Sequence, residues 1–221
     1  MFISVIIVGG GAGTRFGRQN KLFAEINGIP VFIHSIRNFI GSCNQMIMAV
    51  PQAMIDDFSR TAEQFIPENH IIFTPGGMTR YGSVTNALKL VDPNADFIAV
   101  HDAARPLASA KLMRDMIQHI GNCSGIIPGK KVTDTIKEID QNKIITGTPA
   151  RARLMAVETP QIFKAKELIH AYNTNPEDSG FTDDASVMEA AGFKIICFDN
   201  PDPNIKITFP EDIERAGKFM P

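Results

Sequence analysis

Two cations stand beside a run of glycines near the start of the chain. Arg15 lies within Gly9-Gly10-Gly11-Ala12-Gly13-Thr14-Arg15-Phe16-Gly17, and Lys21 follows shortly after. Glycines let a backbone turn sharply and bring its N–H groups close to an anion, and nearby cations neutralise the charge held there. At the end of a strand this is a phosphate-handling device; the plain alternative is a glycine-rich turn with solvated charges. Two familiar devices fail on spacing. A dinucleotide fingerprint needs glycines at i, i+2 and i+5, but the third position falls on Thr14 counted from Gly9 and on Phe16 counted from Gly11. A P-loop needs Lys followed by Ser or Thr, whereas Lys21 precedes Leu22, so no hydroxyl stands ready for a magnesium ion.

The pattern that remains, Gly-x-Gly-x-Arg-x-Gly with a lysine beyond it, resembles the signature loop of nucleotidyltransferases. Other residues add to the chemistry. Pro75-Gly76-Gly77-Met78-Thr79-Arg80-Tyr81-Gly82-Ser83-Val84 is a second glycine loop opening a helix. Its paired glycines would admit a base or ribose, while Ser83 serves either there or as a helix cap. Asp102, in His101-Asp102-Ala103-Ala104-Arg105-Pro106, stands where open α/β sheets bind ligands. It is a candidate magnesium ligand, since magnesium takes one or two carboxylates plus phosphate oxygens and water; alternatively it fixes the loop through backbone hydrogen bonds. His101 reads as a packed structural residue. Asp183 and Asp184 begin a helix, where negative charge is favoured, so capping is the expected role. Lys206 alternates with Ile205 and Ile207 in an extended segment and points oppositely, toward an anionic substrate. Arg151 and Arg153 are either solvated or part of a site.

The elements that must position these residues follow from periodicity. Ile3-Ser4-Val5-Ile6-Ile7-Val8 is too short for a helix and reads as a buried parallel strand. A turn at Asn27-Gly28 precedes a helix from Pro30 through Phe39, a strand from Met46 to Val50, a helix from Met54 to Phe65 and a strand from His70 to Phe73. This β-α-β-α-β order predicts an open, mostly parallel sheet with helices on both faces. Further strands are expected at Phe97–Val100, Gly125–Pro128 and Lys194–Phe198, with helices at Ala110–Ile120, from Thr182 to a stop at Gly192, and after Pro210. Val132–Lys137 and Lys143–Gly147 flank Asp140-Gln141-Asn142 as a hairpin. A hairpin interrupting an α/β sheet reads as an arm, here residues 132–153 of a single nucleotidyltransferase domain spanning 1–221.

Composition excludes other classes. With 221 residues, 44% hydrophobic and 21% charged, the chain is a globular domain large enough to need no disulfide or metal staple. Its 22 basic and 24 acidic residues give no electrostatic footprint for nucleic acid. Cys43, Cys123 and Cys197 are odd in number and far apart, as expected of free thiols in a reducing compartment. No stretch reads as a signal peptide or membrane span, so the expected location is cytoplasmic.

Together these segments resemble the 2-C-methyl-D-erythritol 4-phosphate cytidylyltransferase family over essentially the whole chain. The resemblance rests on Gly11–Arg15, Gly76-Gly77 with Arg80 and Ser83-Val84, His101–Pro106, Val132–Lys137, Thr159-Pro160-Gln161, Thr182–Ser186 and Asn204–Thr208. It implies a Rossmann-like core, a homodimer locked by the arm, and magnesium-dependent transfer of CMP from CTP to the sugar-alcohol phosphate. It implies that Arg15 and Lys21 stabilise the transition state and that Arg151 and Lys206 hold the acceptor phosphate, with Asp102 as the metal-associated residue. Gly9, Gly10, Gly11 and Gly13 would line the triphosphate, with Gly77, Ser83 and Ala103 around the cytidine. Arg105, Thr133, Thr159 and Thr182 fall on the acceptor side, with arm residues supplied across the dimer. The chain departs from the family pattern at Asn20, Met78, Ala150 and Ala152. A ribitol-5-phosphate cytidylyltransferase shares this chemistry and is the alternative enzyme. A glycosyltransferase would want paired aspartates at Asp102, and a non-catalytic nucleotide-binding protein would bind CTP without releasing pyrophosphate.

Overall fold

A computed structural model describes residues 1–10, 16, 20–68, 70–175 and 180–220. The strands are β1 (Ile3–Val8), β2 (Glu25–Ile26), β3 (Ile29–Pro30), β4 (Gln45–Val50), β5 (Ile71–Pro75), β6 (Phe97–Asp102), β7 (Gly125–Lys131), β8 (Glu138–Ile139), β9 (Ile145–Gly147), β10 (Met155–Val157), β11 (Gln161–Lys164) and β12 (Ile195–Asp199). The helices are α1 (Val31–Arg37), α2 (Ile55–Phe65), α3 (Arg80–Leu88), α4 (Ala110–His119), α5 (Ala165–Thr174), α6 (Asp184–Ala190) and α7 (Glu211–Gly217).

Among the described residues, eight strands form one sheet, in the order β10-β7-β11-β6-β1-β4-β5 with β12 also paired to β7. The pairs β1/β4, β1/β6, β4/β5 and β7/β12 are parallel. Only β10 and β11 run antiparallel to their neighbours. The mostly parallel α/β architecture expected from the alternating pattern is therefore present. Its core lies on both faces because successive side chains of a strand point oppositely. Ile3, Val5 and Ile7 of β1 pack with Phe32, Phe58 and Met113, whereas Ile6 packs on the other face with Val84, Leu168 and Val187. Both clusters are fully or nearly fully buried, which explains the continuous apolar run of β1.

Three local features differ from expectation and a fourth agrees with it. Lys164 is followed by α5, whose buried Ala165, Leu168, Ala171 and Tyr172 carry a helical period that the sequence reading passed over. The hairpin exists, but its strands are β8 and β9; Val132–Lys137 forms no strand. Asp140 makes the turn, its Oδ1 accepting from the amides of Asn142 and Ile144 at 2.8 and 2.9 Å, so pairing starts after Lys137. The helix cap near Ser83 is Thr79, whose side chain accepts from Gly82 N. Asn204–Thr208 is extended without being a strand: Ile207 N donates to Ala104 O at 2.8 Å, Ile207 is buried and Lys206 is exposed.

Candidate active site

The parallel strands β1, β5 and β6 deliver their carboxyl ends to one edge of the sheet. There Gly9-Gly10, the loop Gly76–Thr79 and Asp102 meet, as the switch-point rule requires. A cavity of about 260 Å³ opens between them, lined by Val8, Gly9, Gly10, Lys21, Leu22, Met78, Thr79, Arg80, Ser83, Asp102, Ala104 and Lys206. A second cavity, also about 260 Å³, is lined by Arg80, Asp102, Arg105, Val157, Glu158, Thr159, Gln161, Thr182, Asp183 and Lys206. Arg80, Asp102 and Lys206 belong to both and form the shared wall.

That wall is built on charge. Lys206 Nζ donates to Asp102 Oδ2 at 2.7 Å, Arg80 Nε lies 3.5 Å from Asp102 Oδ1, and Arg105 Nε lies 3.7 Å from Oδ2. Burial by itself would push the Asp102 carboxyl up. The opposing cations, Arg80 first and then Lys206 and Arg105, hold it well below the usual carboxylate range. Asp102 therefore stays ionised at any physiological pH. Behind it, Asp102 N donates to Thr159 Oγ1 at 3.0 Å, and Thr159 Oγ1 also bonds His101 Nδ1 at 3.0 Å. The other ring nitrogen of His101 meets Arg105 O at 3.0 Å. Burial lowers the His101 pKa to about 4, only partly offset by Asp102, so the ring is neutral and structural, as its sequence context suggests.

The glycine loops are set by close approach. Gly77 N donates to Ser83 Oγ at 3.1 Å, and Ser83 Oγ donates to Thr79 O at 2.9 Å. A Cβ on Gly77 would lie 2.6 Å from the Gly82 carbonyl carbon, so the start of α3 is what requires glycine there. A Cβ on Gly10 would sit 3.1 Å from Ser83 Oγ. Ser83 thus ties the second glycine loop to α3 and stands against the first, besides lining the cavity.

The candidate residues sort clearly. Gly9, Gly10, Lys21, Ser83, Asp102 and Lys206 line the first cavity. Arg105, Thr159, Thr182 and Lys206 line the second. Lys21 Nζ donates to Ile207 O at 2.8 Å, bringing the loop after β1 against the segment that carries Lys206. Ala103 is fully buried; its N–H donates to Val8 O and its carbonyl accepts from Ser35 Oγ, and Gly77 likewise lines neither cavity. Arg151 and Thr133 bond each other at 2.8 Å (Nη1 to carbonyl oxygen) on the exposed arm, outside both cavities of their own chain. Arg15, Gly11 and Gly13 lie outside the described residues.

Sequence reasoning missed the partners of Arg80. Asp183 caps α6 through a capping box with Ser186, as expected, but Asp184 does something else. Fully buried, it receives Arg80 Nη2 at 2.6 Å on Oδ2 and the Tyr172 hydroxyl at 2.6 Å on Oδ1. Gln161 Oε1 accepts from the amides of Asp184 and Ala185, both at 3.1 Å, and Gln161 Nε2 donates to Asp183 at 2.7 Å. The available signal was an Asp one position past the cap, where an inward-facing charge demands a partner.

A magnesium ion fits the donor set. Among the described residues no group of three His, Cys, Asp or Glu side chains converges on a metal position. Among the described residues that line the first cavity, Asp102 supplies the carboxylate, held ionised by its cations, and its Oδ1 has only the 3.5 Å contact with Arg80. One protein oxygen, completed by phosphate oxygens and water, is a coordination that suits magnesium and not an all-protein cage.

A model of the 2-C-methyl-D-erythritol 4-phosphate cytidylyltransferase family matches residues 3–221. The enzyme of that name from Bacillus mycoides is similar, 35% identical over 221 residues, covering 98% of this chain and 97% of the relative. That from Endomicrobium trichonymphae is 35% identical over 220 residues, covering 98% of each. Among solved structures, 4-diphosphocytidyl-2C-methyl-D-erythritol synthase from Anaerococcus prevotii superposes with a TM-score of 0.84 at 27% identity, covering 99% of this chain and 98% of the other. The Francisella tularensis 2-C-methyl-D-erythritol 4-phosphate cytidylyltransferase gives 0.82 at 27%, covering 99% of each.

Proposed function

This chain belongs to the 2-C-methyl-D-erythritol 4-phosphate cytidylyltransferase family, and on that premise we propose that it transfers CMP from CTP to 2-C-methyl-D-erythritol 4-phosphate, releasing pyrophosphate. The observation that carries the reading is the wall of Arg80, Asp102 and Lys206 shared by two cavities. CTP enters the cavity of the glycine loops, and the acceptor enters the one bounded by Arg105, Thr159 and Thr182. Their reacting atoms meet at the wall.

The acceptor phosphate attacks the α-phosphorus in line, forming a P–O bond as the bond to pyrophosphate breaks. A phosphate monoester has its second pKa near 6, roughly, so the nucleophile is already ionised and needs no general base. A neutral His101, with both ring nitrogens engaged, is consistent with that. The barrier is repulsion between two anions, and positioning with cations lowers it. Lys21 serves the triphosphate; Lys206 leaves Asp102 for the acceptor phosphate. From its place in the sequence, Arg15 joins Lys21. A magnesium ion on Asp102 would supply charge neutralisation to the triphosphate oxygens.

We assign residues 132–153 to a dimerisation arm. Ile139, Ile144 and Ile145 are 57–63% exposed there, a surface that a second copy would cover, bringing Arg151 and Thr133 to the partner's acceptor cavity. Free Cys43, Cys123 and Cys197 support a reducing, cytoplasmic setting; no described helix is long and apolar enough to cross a membrane. Pyrophosphate release measured with CTP and either 2-C-methyl-D-erythritol 4-phosphate or ribitol 5-phosphate tests the acceptor. Release with the first and little with the second is expected, and the reverse pattern would overturn the assignment.

A further inference from the structure

Arg80 has a placement that the roles above do not explain. It is the first residue of α3, yet its side chain crosses to the end of β6 and the start of α6. The guanidinium lies between two carboxylates: Nη2 donates to Asp184 Oδ2 at 2.6 Å, and Nε is 3.5 Å from Asp102 Oδ1. Among the described residues Nη1 makes no hydrogen bond. The Arg80 side chain is 24% exposed, while that of Asp184 is fully buried, so Arg80 alone of this pair reaches the cavities.

A buried carboxylate with no role would be costly, so the pair invites a reason. Asp184, itself held by the Tyr172 hydroxyl, grips Nη2 of the guanidinium, Nε faces Asp102, and Nη1 is left for the cavities that Arg80 lines. The clamp is itself anchored. Tyr81, next to Arg80, stacks on Tyr172 with ring centroids 4.7 Å apart, and its hydroxyl bonds Tyr172 O at 2.8 Å. A planar guanidinium held at Nη2 and Nε, with Nη1 open, is pre-organised for a phosphate oxygen. Electrostatic stabilisation is strongest when such donors need no rearrangement during reaction.

We propose that Arg80 is a further catalytic cation, donating to the phosphate oxygens where the two cavities meet and pinned there by Asp184, which the Tyr172 hydroxyl holds in turn. The proposal rests on the CMP-transfer reading and deepens it. Lys206 is the mobile cation of the wall and Arg80 the fixed one. As Lys206 turns to the acceptor, Arg80 keeps Asp102 oriented and faces the charge that develops between the substrates.

The test is steady-state pyrophosphate release by Arg80→Gln and Arg80→Lys beside wild type, varying CTP and acceptor separately. Arg80→Gln should lower kcat on the order of 10²–10³-fold with both KM values within about threefold, the mark of a contact made mainly in the transition state. Arg80→Lys keeps a charge for Asp184 but loses the fork, and kcat should fall in the same direction. Added methylguanidinium should restore part of the Arg80→Gln loss, which a merely structural defect would not show. If Arg80→Gln does not fold, Arg80→Lys decides. Turnover near wild type, or a change confined to KM, overturns the proposal while leaving the transfer reading intact. A wild-type protein that releases no pyrophosphate overturns both.

Discussion

Lys206 Nζ and Asp102 Oδ2 lie 2.7 Å apart, joining a residue expected to hold the acceptor to one expected to hold the metal. The lysine side chain is 44% exposed and the aspartate 12%, so the pair sits at the mouth of both cavities and not in the core. Asp102 is the buried partner and Lys206 the exposed one, so the lysine side is open to an approaching anion. Lys206 neutralises Asp102, and on the proposed reading it turns to the acceptor phosphate. Lys206→Ala should raise the acceptor KM and lower kcat by roughly 10²-fold, with CTP affinity by calorimetry little changed. An unaltered acceptor KM would remove Lys206 from that role.

Lys21 reaches across to Ile207 O, one residue from Lys206. Replacing it removes a cation from the triphosphate side of the wall and loosens the segment behind Lys206. Lys21→Ala should cost on the order of 10²–10³ in turnover. Activity within about threefold of wild type, far below that range, would show the lysine to be structural only.

Gly77→Ala separates two roles for the second glycine loop. A Cβ there would meet the backbone of Gly82 at 2.6 Å, which a rotamer change cannot relieve. The start of α3 must move, at a cost of about 1–3 kcal/mol, and Ser83 and Arg80 move with it. A lower melting temperature together with a raised CTP KM is the expected outcome. A normal melting temperature would mean the loop yields without strain.

Stability should fall in mild acid because of His101. Its pKa is about 4 in the folded chain against 6.5 for the free side chain. Between those values the unfolded chain binds a proton that the folded chain refuses, so stability is complete above pH 6.5 and drops as pH falls toward 4. The loss approaches about 3 kcal/mol at 1.36 kcal/mol per unit. Asp102, held low by its cations, adds a further loss only below the ordinary carboxylate pKa of 3.8. Denaturant midpoints measured across that range should show the slope, and His101→Gln should flatten it in the window above pH 4.

The arm is testable by its own side chains. Ile139 and Ile144 are 57% and 63% exposed on the hairpin of β8 and β9, the apolar surface on which the proposed dimer would close. Ile139→Asp with Ile144→Asp should shift the sedimenting species from dimer to monomer. If the wild-type chain sediments as a monomer at micromolar concentration, the arm has another purpose.

Features carried by adjacent residues were legible in the sequence. The apolar run of β1, the glycine loop after it, the cap at Asp183 and the placement of Asp102 at a strand end all follow from composition and short spacing. So does the two-faced core, since a strand apolar at both alternating positions must be covered on both sides. The antiparallel entry of β10 and β11 was not legible. Pairing of Ile162 with Ala99 and with Ile126 depends on residues far along the chain. The same holds for Asp184, which local spacing would make a second capping residue and which only Arg80, 104 positions earlier, turns into half of a buried ion pair.

From its sequence alone, then, this chain reads as a mostly parallel α/β protein whose glycine loop, two cations and carboxylate resemble those of a nucleotidyltransferase. Those properties are local, written in residues that touch their neighbours along the backbone. Tertiary structure decided which charges face one another. It set Lys206 and Arg80 on opposite oxygens of Asp102, put Arg80 under the grip of Asp184 with Tyr172 behind it, and made one wall serve two cavities. Ion pairs and cavities arise from distances between segments, and those distances exist only once the sheet has brought the segments together.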